Sequence, residues 1–223
     1  MNVIIKKTAK RRTIAISVKP NLDVVVLAST KISDAKINEI LHQKQSWIQK
    51  KLQHFQNTKT VVVKFEKIED GQKIYLLGRQ VLIRIVNINT KKIIFDGNVI
   101  MIYCVYERAH VVLNKWIVEM AFNFFQERLK SCFQVFSQKI ECKMPDLKVK
   151  KMKGRWGAMS SSGFMSLNLC LICVNLECID YVIMHELCHV KHMNHGTKFY
   201  DLQELFVPDY RNIKKILESF VIV

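Results

Sequence analysis

The sequence predicts an α+β fold, with a basic, β-rich region over residues 1–105 and a mixed region over residues 106–223. Three observations lead there. Between residues 12 and 104 the apolar residues fall in short alternating or β-branched runs separated by turn residues. From Glu107 to about Lys139 the apolar period becomes helical. After Pro145 two short strand-like runs precede two helical ones. The 223 residues suffice for one large domain or two small ones, and 49% apolar with 24% charged residues is an ordinary globular composition. Only 7 Gly and 3 Pro are present, which excludes collagen-like and low-complexity chains.

Each element has its own signal. Arg12 to Val18 alternates and puts Ile14, Ile16 and Val18 on one strand face. Pro20-Asn21 reads as a turn and Asp23 to Leu27 as a second strand. Ser33-Asp34 opens a helix with Ile37, Ile40, Leu41, Trp47, Ile48 and Leu52 on one stripe and Lys36, Lys44, Lys50 and Lys51 opposite. Strands are expected over 61–65, 73–77, 80–86, 92–95 and 99–104, with hairpin turns at Leu77-Gly78-Arg79-Gln80 and Asp96-Gly97. The helix that follows carries Val111, Trp116, Met120, Phe124, Leu129 and Phe133. Strands over 147–152 and 163–167 come next. A helix capped by Asn175 then runs to about Met193, with Glu177 and Asp180 where its dipole favours acids. A last helix covers about 209–219.

Charge is the first functional hint. The net charge is +16, and residues 1–60 hold 12 basic and 3 acidic side chains, so the first quarter of the chain carries over half of the excess. Such a surface draws polyanions, and nucleic acid is the expected partner class. The most apolar stretch, Ser166 to Leu187, is interrupted by Asn168, Asn175, Glu177, Asp180, His185 and Glu186, so no membrane span is expected. The apolar run at the start is too short for a secretory signal. Seven Cys, the first at Cys104, do not suit a disulfide scaffold, which places the protein in a reducing compartment, most simply the cytoplasm.

The chemistry is concentrated in His185-Glu186-Leu187-Cys188-His189. Two His four apart stand on one helix face and can bind one zinc ion at ~2.0–2.1 Å each. Glu186 sits beside the first and can reach a water at the metal without ligating it. An open catalytic site needs a third ligand. His192 is seven residues beyond His185, too far along a straight helix. His195 lies beside Asn194 and Gly196, which tolerate a left-handed turn that brings the chain back. Glu204 is the carboxylate alternative. A different reading pairs Cys170 and Cys173 with His185 and His189 in a closed structural zinc site of a non-catalytic, nucleic-acid-binding module. Against it, the two Cys lie in an apolar run with no knuckle turn, and read better as core residues.

Several linked motifs resemble the YgjP-like metallopeptidase family: Arg155-Trp156-Gly157, Ser161-Ser162-Gly163, Ser166-Leu167-Asn168, the segment I-D-Y-V-I-M-H-E-L-C-H followed by M-N-H-G, and Val207-Pro208-Asp209-Tyr210-Arg211. The N-terminal K-R-R-T-I-A-I-S-V, V-V-V-L-A and Q-S-W-I-Q-K-K-L are similar too, so the resemblance spans roughly residues 3–217. It implies a zincin-like metallopeptidase domain of α+β class, one bound zinc ion held by His185, His189 and His195, Glu186 as the catalytic acid–base, and a protein or peptide substrate. Related zincins of the SprT-like group act on DNA-bound proteins, which suits the basic charge. One departure stands out: the family usually reads R-W-G-S-C-S-S, and here Ala158 and Met159 replace the hydroxyl and the thiol.

The mechanism so implied is metal-assisted amide hydrolysis. Arg155 is a candidate for steadying the developing oxyanion, and Tyr210 a second candidate for the same task. The strand at 163–167 is a candidate edge to which an extended substrate adds. The run Lys148, Lys150, Lys151, Lys153 and Arg155 could hold a polyanion beside the cleft, although strand alternation splits these side chains between two faces.

Overall fold

Every second residue of the run beginning at Asp23 is buried, as a strand with one covered face requires. In the computed structural model, which describes residues 2–19, 22–56, 59–61 and 65–222, β1 (Asn2–Lys7), β2 (Ala15–Val18) and β3 (Asp23–Ala28) form a sheet with β3 in the middle, parallel to β1 and antiparallel to β2. The turn at Pro20-Asn21 lies outside the described residues. The single helix expected next is two, α1 (Asp34–Gln43) and α2 (Gln45–Gln56). Ser33 caps the first, its hydroxyl accepting from the Lys36 N–H. The break at Lys44 (φ −96°, ψ 7°) resets the angular phase: Ile37 and Ile48 are buried, while Trp47 is 41% exposed. Val26, Ala28 and Ile37 centre this small core.

The chain divides into two compact units, Met1–Thr60 with Glu218–Val221 and Val223, and Val61–Leu217 with Ile222. The division falls after Thr60, and residues 73–104 group with the second unit. Of the strand expected over 61–65, Val61 ends β4 (Lys59–Val61), residues 62–64 lie outside the described part, and Phe65 is loop, its N–H and C=O both bonded to the Asn114 amide.

In the second unit β5 (Lys73–Leu76), β6 (Arg79–Asn87), β7 (Lys92–Phe95) and β8 (Val99–Cys104) form a sheet in the order β5-β6-β8-β7. Leu77 and Gly78, at φ 49° and 81°, make the two-residue turn of the β5–β6 hairpin. Its tip docks on a 3₁₀ helix at Leu169–Cys173 through Leu77 N–H to Ile172 C=O and Gly78 N–H to Cys173 C=O. Val81, Ile83, Ile100 and Ile102 are fully buried in this sheet, against which α3 (Ala109–Ser137) packs. The buried line of α3 runs every fourth residue from Ala109 to Leu129, then Cys132 and Phe136, so Val111 (56% exposed) is not on it. This helix is apolar on most sides, and period alone does not choose its inner face.

β9 (Asp146–Lys150), β10 (Gly157–Met159) and β11 (Phe164–Asn168) form a third sheet in which β11 is central, parallel to β9 and antiparallel to β10. The strand at 163–167 is therefore not an edge. The edges are β9 and β10, and the three residues of β10 are too few to show a period. Beyond it come α4 (Leu176–Cys188), α5 (Thr197–Phe206), α6 (Tyr210–Glu218) and β12 (Phe220–Ile222), the last pairing with β4. Arg128 of α3 and Asp180 of α4 share two hydrogen bonds of 2.8 Å. Among the described residues no helix is long and apolar enough to cross a membrane.

Candidate metal centre

The centre is built by α4, the turn after it and α5. His185, in the last turn of α4, and His189, its C-cap residue, stand one helical turn apart. The helix ends at Cys188, earlier than the apolar period suggests, because a tight turn follows: the N–H groups of Val190 and Lys191 bond to the carbonyls of Leu187 and Cys188, and that of His192 also to Cys188. Gly196 then caps α5 at φ −85°, and neither it nor Asn194 has a positive φ, so the reversal needs no left-handed residue. It brings His195 back onto His185, with the two Nε2 atoms 3.0 Å apart.

His185, His189 and His195 are the group that converges among the described residues: their ligand atoms all lie within 4.8 Å of one another. Two nitrogens at ~2.0–2.1 Å from one tetrahedral ion lie ~3.3 Å from each other, so this donor set fits zinc. The tautomers fit as well. His185 Nδ1 lies 2.8 Å from Gln203 Oε1, and His189 Nδ1 lies 3.0 Å from the carbonyl of His192. Each oxygen accepts a hydrogen bond from Nδ1–H, which leaves the Nε2 lone pair free to ligate. Burial lowers the His185 pKa to about 4 and that of His189 in the same direction, favouring the neutral ligating form. Phe199, 1% exposed, packs its ring within 5 Å of all three imidazoles, at 4.9, 4.6 and 4.7 Å.

Glu186 is 5% exposed and leans on β10. A Cβ on Gly157 would lie 2.6 Å from its Oε1, so only glycine lets that strand come so close. The Met159 N–H donates to the carboxylate. Burial raises the Glu186 pKa to about 7, against the opposing pull of that N–H and of the Arg155 charge. The loop bearing Arg155 is held by Asn168, which is fully buried and whose Nδ2 donates to the carbonyls of Met152 and Arg155 at 2.8 Å each.

The other sequence candidates fall elsewhere. Tyr210 is one ring further out: it stacks on Tyr200, which flanks His195. Glu204 pairs with Arg211 at 2.8 Å and is not in the histidine group. Cys170 and Cys173 are buried in the 3₁₀ helix and do not join His185 and His189 in a ligand set, which corrects the closed-site alternative. Burial drives their thiols toward the neutral form. Lys148 lies 3.5 Å from the Phe164 ring centroid, and Lys151 and Lys153 lie beyond the end of β9. Gln203, Phe199 and Gly157 were missed as functional residues. The signal for the first two was the spacing of four that puts them on one face of α5. For Gly157 it was the glycine of R-W-G itself.

Comparison with curated proteins gave no match. Two solved structures are similar over less than half of the chain. The zymogen of abylysin, a metallopeptidase of Pyrococcus abyssi, is 17% identical, with 44% of this chain and 99% of that one covered and a TM-score of 0.38. The zymogen of jannalysin, a metallopeptidase of Methanocaldococcus jannaschii, is 24% identical, with 43% and 95% covered and a TM-score of 0.36. The model of the YgjP-like metallopeptidase domain matches residues 12–220, nearly the whole chain and both motif-bearing regions. The protein therefore belongs to the YgjP-like metallopeptidase family, as a metal-dependent hydrolase.

Proposed function

We propose that the protein hydrolyses peptide bonds with one zinc ion held by His185, His189 and His195 and with Glu186 as the general base. The observation that carries this reading is the convergence of three imidazoles beside a buried carboxylate whose approach a glycine permits. Zinc, when bound, activates a water molecule and polarises the scissile carbonyl. The chain supplies the rest. Glu186 takes a proton from the attacking water and hands it to the leaving nitrogen as the C–N bond breaks. The Met159 N–H fixes the carboxylate for that transfer. Arg155, whose charge reaches the Glu186 carboxylate, counters negative charge on the carbonyl oxygen in this reading, and Tyr210 supports Tyr200 behind His195. β10, the edge of its sheet that lies beside Glu186, is where an extended peptide adds as a further strand. The net charge of +16 supports substrates carried on nucleic acid.

Glu186→Gln tests this reading. It keeps the shape and removes the base. Zinc content and thermal stability should stay as in the parent protein while peptide hydrolysis falls by ~10²-fold or more. Hydrolysis that survives this change at the parent rate would refute the role of Glu186.

A further inference from the structure

A cavity of about 550 Å³ opens beside the metal centre, within the size range of ligand pockets. His189 lines one side of it. Val190 and Met193 from the turn after α4, Met144 and Pro145 from the segment before β9, and Met159 from β10 form an apolar side of the remaining wall, and Ser160, Ser161, Ser162 and Gly163 from the loop between β10 and β11 form a polar one. Met144 and Met193 are 42% and 55% exposed, so apolar surface stands open to solvent next to the reacting groups. Methionine is unbranched and polarizable and shapes itself to an apolar guest. Lys143 and Asp146 also line the cavity, and their opposite charges leave no net sign to select for.

Met159 connects this cavity to the chemistry. Its backbone N–H holds the Glu186 carboxylate, and its side chain forms cavity wall. A peptide whose scissile carbonyl sits at the histidine cluster thus has its neighbouring side chain within reach of the cavity. A thioether takes up wall volume that a cysteine would leave open.

We propose that this cavity is the specificity pocket of the hydrolase: it takes a leucine- or methionine-sized apolar side chain next to the scissile bond, and Met159 sets its depth. This rests on the metal-centre reading proposed above.

The test uses amino-acid hydroxamates, which chelate zinc and carry one side chain, with equilibrium binding measured on the zinc-loaded full chain. Leucine and methionine hydroxamates should bind about tenfold or more tightly than glycine and aspartate hydroxamates, the advantage expected for burying one aliphatic side chain. Met193→Lys, at an exposed turn position, should bring the leucine-to-glycine affinity ratio to about threefold or less. Met159→Cys should raise the phenylalanine-to-leucine ratio by about fivefold or more by deepening the pocket. A flat series on a protein that binds glycine hydroxamate overturns the pocket and leaves the metal centre standing. Failure of every hydroxamate to bind overturns the metal-centre reading and the pocket with it.

Discussion

His185, His189 and Glu186, the proposed ligands and base, are each oriented by a neighbour that offers one specific atom. Gln203 gives His185 an acceptor for Nδ1–H, the carbonyl of His192 does the same for His189, and the Met159 N–H holds Glu186. These partners carry the predictions at this scale. Gln203→Leu removes the acceptor while keeping the bulk, and zinc affinity measured against a chromophoric chelator should fall by ~10–100-fold. Unchanged affinity would mean that Gln203 only fills space. Gly157→Ala puts a methyl 2.6 Å from Glu186 Oε1 and must push the carboxylate aside. Hydrolysis should fall by at least ~10-fold with zinc content unchanged. Parent-level turnover would show that Glu186 has room to move. The H-E-x-x-H histidines and Glu186 were legible from spacing alone, because a helix fixes residues four apart. Gln203 was not, because its partner is 18 residues away and only the fold brings the two together.

Elements with a strong period were legible and those shaped by tertiary contact were not. The β5–β6 hairpin was read from Leu77-Gly78, and it has the positive φ pair that such turns demand. The single helix over 33–52 was misread because its apolar stripe continues across the break at Lys44, with only a shift of phase. β10 has three residues and no period, and its absence from the reading made β11 look like an edge. The end of α4 was placed too late because Val190 and Met193 continue its apolar pattern. They are 40% and 55% exposed and help to line the cavity beside the histidine cluster. Gly78 carries the prediction for this scale. It sits at φ +81°, and a Cβ there would lie 2.8 Å from the Cβ of Asn175, which stands at the N-cap position of α4 without a side-chain capping bond. Gly78→Ala should destabilise the protein by ~1–3 kcal/mol in chemical denaturation. A loss under ~0.5 kcal/mol would show that the hairpin tip shifts without cost.

For the whole molecule, the apolar periodicity gave the α+β class, the residue counts gave the charge imbalance, and the linked motifs gave the family. The division after Thr60 falls where the strongly basic stretch ends, but the apolar period does not mark it, because short β-like runs precede the helices of the first unit and resume beyond it. If the excess positive charge serves polyanions, binding to a DNA fragment should weaken by an order of magnitude or more between about 50 and 200 mM salt. A flat response would remove nucleic acid from the account. The central claim is a three-histidine zinc site with an open position, and zinc per chain tests it most directly. The full chain should hold close to one zinc ion. Cys170→Ser/Cys173→Ser should keep that zinc, since both thiols lie apart from the histidine group, and His195→Ala should lose most of it. Zinc that survives His195→Ala but disappears with the two cysteines would contradict the account and make the site a closed structural one.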